Sequence, residues 1–148
     1  MGCLLRSCLS TTTLPCCLRY RRTCVGVPSL HIDTEPSSLK ALGLLRHQRY
    51  QALITDLQMP QLDEKALLAA AKAVREELPV IMITATPDVD IARRVLDAGA
   101  FDFLAKHLLE EVADAVKAAL RWHDMTRNQA HVREARDRPP GGTRDKPI

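Results

Sequence analysis

Apolar positions recur at two different periods along this chain, and the alternation between them sets out its elements. Ser37 and Ser38 can cap a helix in which Leu39, Leu42, Leu44 and Leu45 recur at helical spacing up to about Arg49. A short β-rich run, Ala52-Leu53-Ile54-Thr55, ends at Asp56, and Met59-Pro60 turns the chain. A second helix, rich in alanine and leucine, is predicted over about 64–77. The run from Pro79 to Thr84 is nearly all apolar, as expected of a central strand covered on both faces. A third helix follows over 89–98, closed by Gly99 in the C-terminal position that favours glycine. Phe101-Asp102-Phe103-Leu104-Ala105 reads as a further strand ending at Lys106, and a fourth helix is predicted over 109–122, with Val112, Val116, Ala119 and Leu120 on its buried face. Strands alternating with helices in this way predict a parallel α/β sheet.

With 148 residues, 46% of them apolar, the chain has the size of one domain with short tails. Its formal charge of +3 hides a segregation. Residues 1–30 carry four arginines and no acid, residues 31–125 carry 11 basic against 15 acidic side chains, and residues 126–148 carry six against three. The part expected to fold is therefore acidic, which argues against direct nucleic-acid binding. The Pro139-Pro140-Gly141-Gly142 end and its scattered arginines predict a disordered basic tail over 126–148.

Cys3, Cys8, Cys16, Cys17 and Cys24 have no paired C-x-x-C spacing and no nearby histidine, so a zinc-binding cysteine module is disfavoured. Arg6 interrupts the early apolar stretch that a secretory signal needs, and it stands where a myristoylation pattern requires Ser or Thr. No run of about 20 apolar residues occurs, so no membrane association is expected and the cytoplasm is the expected location.

Asp56, Thr84 and Lys106 close three successive predicted strands. In a doubly wound sheet those ends converge on one crevice. A carboxylate nucleophile, a hydroxyl donor and an ammonium beside it suit phosphoryl transfer. The words around them carry more. Tyr50-Gln51-Ala52-Leu53-Ile54-Thr55-Asp56-Leu57-Gln58-Met59-Pro60, then Leu78-Pro79-Val80-Ile81-Met82-Ile83-Thr84-Ala85, then Ala98-Gly99-Ala100-Phe101-Asp102-Phe103-Leu104-Ala105-Lys106 closely resemble, in order and spacing, the receiver domains of two-component response regulators. The resemblance covers roughly Ile32 to Met125. It implies that Asp56 is the phosphoacceptor, that Asp56 and the backbone carbonyl of Gln58 are ligands of a Mg2+ cofactor, and that Thr84 and Lys106 serve as switch and charge-neutralising residues. Phe103 matches the aromatic whose rotation reports phosphorylation to the surface of the last two helices; a plain core aromatic is the other reading.

The family's pair of acids at the end of its first strand, which hold the magnesium, is missing at its proper distance. Aligning Ile32 to Thr34 with the family's second strand preserves the length up to Asp56 and puts the pair near Thr11 and Thr12. The alternative, matching Ile32 to Leu39 with the acidic motif itself, requires the loss of a strand and a helix. Valine and aspartate codons read one base late become serine and threonine, and leucine codons often become cysteine. Residues 1 to about 26 therefore read as an out-of-frame translation of the first strand and helix; coding DNA whose other frame lacks an apolar strand ending in acids would dispose of this reading. His107 replaces the proline after the lysine, removing the main support for a cis peptide there, and Glu64 replaces a turn glycine.

The expected fold is thus a flavodoxin-like α/β receiver with a doubly wound parallel sheet, incomplete or atypical at its first strand and helix, over 31–125 behind an atypical segment 1–30. The implied function is that of a non-enzymatic receiver in a phosphorelay, phosphorylated on Asp56 and signalling through the face made by its last two helices and the strand between them. The implied partners are a sensor histidine kinase or phosphotransfer protein, a downstream protein, and a second copy as a homodimer. The rival is a degenerate receiver acting as an interaction module without phosphorylation, or a non-functional truncated product.

Overall fold

The structure is a computed structural model that describes residues 2–7, 30–35, 37–57 and 63–137, with the side chains of 2–7, 30, 31, 64 and 109 left out. In chain order its elements are β1 (Gly2–Ser7), β2 (Leu30–Glu35), α1 (Ser38–His47), β3 (Ala52–Asp56), α2 (Glu64–Val74), β4 (Val80–Thr84), α3 (Val89–Asp97), β5 (Asp102–Ala105) and α4 (Leu109–Arg136). The strands form one sheet in the order β2-β1-β3-β4-β5.

β3, β4 and β5 pair in parallel, with Ile54 opposite Ile81 and Ile81 opposite Asp102. Successive side chains of a strand point to opposite faces, and here both faces are covered. Ala52, Ile54, Ile81 and Ile83 pack against Val112, Ala115, Val116 and Ala119 of α4. Leu53, Val80 and Met82 pack on the other face against Leu42 and Leu45 of α1, Leu67, Leu68 and Ala71 of α2, and Val95 of α3. That is why the run at 80–84 has no polar alternation: all five residues of β4 are buried.

Ends of elements follow local chemistry. The Ser37 side chain accepts from Lys40 N to cap α1, and Asp88 Oδ1 accepts from Asp90 N and Ile91 N to cap α3. Gly99 follows α3 with φ of +102°, the left-handed conformation that the sequence position predicts for glycine. Tyr50, 1% exposed, donates its hydroxyl to Asp33 Oδ2 at 2.9 Å and so ties the β3 entry to β2.

Two features depart from the sequence expectation. The slot of the family's first strand is filled by Gly2–Ser7, which runs antiparallel to both β2 and β3. An uncovered inner edge of β3 is a template for any extended segment, and antiparallel pairing satisfies its hydrogen bonds fully. Leu9 to Thr13, including Thr11 and Thr12, lie outside the described residues.

Secondly, α4 does not stop at 122 but continues to Arg136, so the expected disordered tail is helical up to that residue; 138–148 lie outside the described residues. Residues 126–136 bury little, yet they extend a helix whose nucleus is already formed by the packed first half, and propagation is far cheaper than nucleation. Thr126 Oγ1 donating to Trp122 O and the His131–Glu134 pair at 4.0 Å sit along this extension.

His123 on α4 is 8% exposed, and its Nδ1 has no hydrogen-bond partner among the described residues; Asp124 Oδ1, at 3.7 Å, is too distant. Burial lowers its pKa below the usual 6.5, outweighing the opposing pull of Asp124. A depressed histidine means that the unfolded chain takes up the proton first as pH falls below about 6.5, so stability is lost from there down to the folded pKa. The melting temperature should therefore fall between about pH 7.5 and about pH 5.5, and His123→Leu should flatten that slope in thermal melts. An unchanged slope in the variant would remove His123 as the cause.

Candidate functional site

The C-terminal ends of β3, β4 and β5 lie side by side, and backbone hydrogen bonds carry the ladders past them. Leu57 N donates to Ile83 O at 2.9 Å, and Lys106 N donates to Thr84 O at 2.7 Å. These bonds fix the Cα positions on either side of β4, so that Asp56 and Lys106, two strands apart, can meet across the sheet edge. Lys106 Nζ donates to Asp56 Oδ2 as a salt bridge, with the carboxylate side chain 11% exposed and the lysine side chain 36% exposed. A largely covered carboxylate with an ammonium on one oxygen places a nucleophilic oxygen beside a fixed positive charge.

Thr84, fully buried at the end of β4, belongs to the same edge, but its hydroxyl is turned into the chain that follows. Its Oγ1 donates to Thr86 O and accepts from Thr86 N, both at 3.2 Å, closing a local turn of the kind Ser and Thr hydroxyls favour. Phe103 is half-buried on β5 beside the α1–α3 side of the core, with Met82 as its cross-strand partner. Gln58 lies outside the described residues. The peptide between Lys106 and His107 is trans, as are all the described ones. The structure thus brings Asp56 and Lys106 into contact and holds Thr84 nearby in another engagement.

Elsewhere a recess of about 390 Å3, lined in part by Arg49, Arg75, Leu78, His123 and Arg127, opens beside the N-terminal ends of β3 and β4, at the opposite end of the sheet from Asp56. It takes no part in the Asp56 edge. No described helix is long and apolar enough to cross a membrane.

Comparison with known proteins decides the family. The family model for the response regulator receiver domain matches residues 16–119, more than two thirds of the chain. The chain belongs to the response-regulator receiver family. The receiver match begins at Cys16, beyond Thr11 and Thr12. A protein-glutamate methylesterase/protein-glutamine glutaminase of Anaeromyxobacter dehalogenans is 29% identical over 133 residues, 83% of this receiver chain and 38% of that protein. The response regulator MprA of a Mycobacterium species is 32% identical over 91 residues, 61% of this chain and 40% of that protein. The receiver chain therefore spans about 40% of the length of these curated relatives.

Among solved structures, a receiver domain protein from Clostridium thermocellum superposes with a TM-score of 0.58 at 26% identity, covering 64% of this chain and 77% of that one. The signal receiver domain of a putative LuxO repressor from Vibrio parahaemolyticus reaches 0.67 at 22% identity, covering 74% and 85%, which bears on the fold alone. The flavodoxin-like α/β receiver fold expected from the sequence is the one found.

Receiver domains typically bind Mg2+ at the phosphorylation site. Magnesium asks for an octahedron of about six oxygens, normally including one or two carboxylates. Among the described residues no group of three or more His, Cys, Asp or Glu side chains could hold a metal ion. Among the described strand ends of β3, β4 and β5 the one carboxylate is Asp56, and Lys106 already occupies one of its oxygens. The described residues do not fit a magnesium ion.

Proposed function

We propose that this receiver domain, whose family implies two-component signalling, accepts a phosphoryl group on Asp56 from a sensor histidine kinase or phosphotransfer protein in the cytoplasm, and acts as a signalling module with no enzymatic activity of its own. The observation that carries the proposal is the Lys106 ammonium seated on the Asp56 carboxylate at the shared end of β3 and β5. An Asp56 oxygen attacks phosphorus, the phosphorus–nitrogen bond of the donor histidine breaks, and the imidazole nitrogen keeps the electron pair and takes a proton. The product is an acyl phosphate whose added charge Lys106 offsets.

Thr84 would then turn its hydroxyl from Thr86 toward a phosphoryl oxygen. Phe103, on the neighbouring strand, would carry the rearrangement to the face formed by α3, β5 and α4, where a downstream protein or a second receiver copy docks. The receiver proper would occupy 31–125, with no direct contact to nucleic acid. Intact mass measured after incubation with phosphoramidate tests this: wild type should gain one phosphoryl group and Asp56→Asn should gain none.

A second reading has its own observation. The lack of a metal-donor set among the described residues and the Thr84 hydroxyl tied to Thr86 favour a receiver that engages its partner without phosphorylation. A folded wild type that gains no phosphoryl group, from phosphoramidate or a kinase, would select it.

A further inference from the structure

We infer that the Asp56 edge of this receiver contains no divalent-cation site, and that the Lys106 ammonium is the fixed positive charge it offers to a bound phosphoryl group. The anion half of this inference rests on the phosphoacceptor reading of Asp56; the cation half stands on the carboxylates alone.

The sequence limits those carboxylates before any geometry is considered. No Asp or Glu occurs in residues 1–32, and none in 57–62, so neither segment can bring an acid to the metal wherever it lies. The direction of β1 removes the usual source in a second way. Because Gly2 pairs with both Thr55 and Glu35, the residue that β1 presents at the Asp56 edge is Gly2, and its C-terminal residue, Ser7, lies at the far end opposite Leu30.

Of the acids that remain, Asp63 stands exposed at the start of α2, beyond the 57–62 segment, and those on β2, at the start of α3 and on β5 have other duties. Asp33 and Glu35 are on β2, separated from β3 by β1, a lateral offset of about 10 Å at the usual strand spacing. Asp33 Oδ2 accepts from the Tyr50 hydroxyl at 2.9 Å, and Glu35 Oε1 accepts from Ser37 N at 3.0 Å. Asp88 Oδ1 is taken up by the first turn of α3. Asp102 begins β5, at the other end of the strand from Lys106.

On the C-terminal ends of β3, β4 and β5 a divalent ion would therefore have Asp56 as its one carboxylate, and it would have to displace an ammonium from it. The pair is neutral as it stands, so it presents no net negative charge to attract the ion, and the displaced lysine would repel it at short range. A phosphoryl group faces the reverse situation. Its oxygens can take up the ammonium that the carboxylate gives up, with no ion to recruit.

The test uses the full chain and two probes. In the first, free Mn2+ is counted by electron paramagnetic resonance as it is added to wild type and to Asp56→Asn. The two curves should superimpose, with no saturable site up to millimolar Mn2+. One saturable site that Mg2+ displaces and that Asp56→Asn loses would overturn the inference. In the second, fluorine NMR follows beryllium trifluoride, a tetrahedral mimic of a phosphoryl group on a carboxylate, with magnesium withheld. A bound signal present in wild type, absent in Asp56→Asn and weakened in Lys106→Ala supports the inference. A bound signal that needs added magnesium overturns it. Absence of binding with and without magnesium would instead strike at the phosphoacceptor reading, leaving the Mn2+ result to decide the cation half alone.

Discussion

Ile81→Ala is expected to destabilise the chain by about 3–4 kcal/mol, a large share of the roughly 5–15 kcal/mol that holds a domain folded. Ile81 is fully buried as the second residue of β4, opposite Ile54 on one side and Asp102 of β5 on the other, in the core cluster that includes Val116 and Ala119 of α4. Removing three of its carbons leaves a cavity in a place where both neighbouring strands are fixed by their ladders and cannot close in. Leu39, 60% exposed on α1, is the control, and its alanine variant should stay within about 0.5 kcal/mol of wild type. Urea unfolding followed by circular dichroism reads both, as a fall in midpoint at constant slope. A loss below about 1 kcal/mol for Ile81→Ala would contradict the central position of β4.

Lys106→Ala should slow phosphoryl transfer to Asp56 by about 10²–10³-fold, the usual effect of removing one pre-positioned donor from a site where charge develops. The magnitude is that of one ammonium seated directly on the Asp56 carboxylate. Stability should change little, because the lysine side chain is 36% exposed and pairs of that kind contribute about 0–1 kcal/mol. The two readouts separate the roles. A slow but stable Lys106→Ala identifies a group that acts on the incoming phosphoryl group, whereas equal rates in the variant and wild type would leave Lys106 a surface ion pair only. Lys106→Arg should recover part of the rate, since it restores the charge with a different shape.

The inner strands were legible because burial on both faces writes itself into the sequence as an unbroken apolar run, as at 80–84, and because Gly99 and Ser37 mark helix ends by local backbone chemistry. The convergence of Asp56 and Lys106 was legible for the same reason: once three parallel strands are placed, their C-terminal residues must share an edge. Thr84 shows the limit of that reasoning. Position on the edge is set by the strand, but the direction of the hydroxyl is set by Thr86, two residues on, and competition between a local turn and a site cannot be resolved from spacing. β1 was not legible at all. Gly2–Ser7 has no strand periodicity of its own, and its antiparallel direction answers the open edge of β3 rather than any local preference. The extension of α4 to Arg136 was missed because a helix that propagates without burial carries no apolar stripe to detect. The Tyr50–Asp33 hydrogen bond joins residues 17 positions apart and follows only from the sheet order.

Metal-free phosphorylation of Asp56 is decided by one mass measurement. Purified wild type and Asp56→Asn would be incubated with phosphoramidate in buffer containing EDTA, and their intact masses compared. Wild type is expected to gain a single phosphoryl group without any divalent metal, and Asp56→Asn is expected to gain none. A gain that appears only when magnesium is restored, or one that Asp56→Asn shares, would contradict metal-free phosphorylation of this residue.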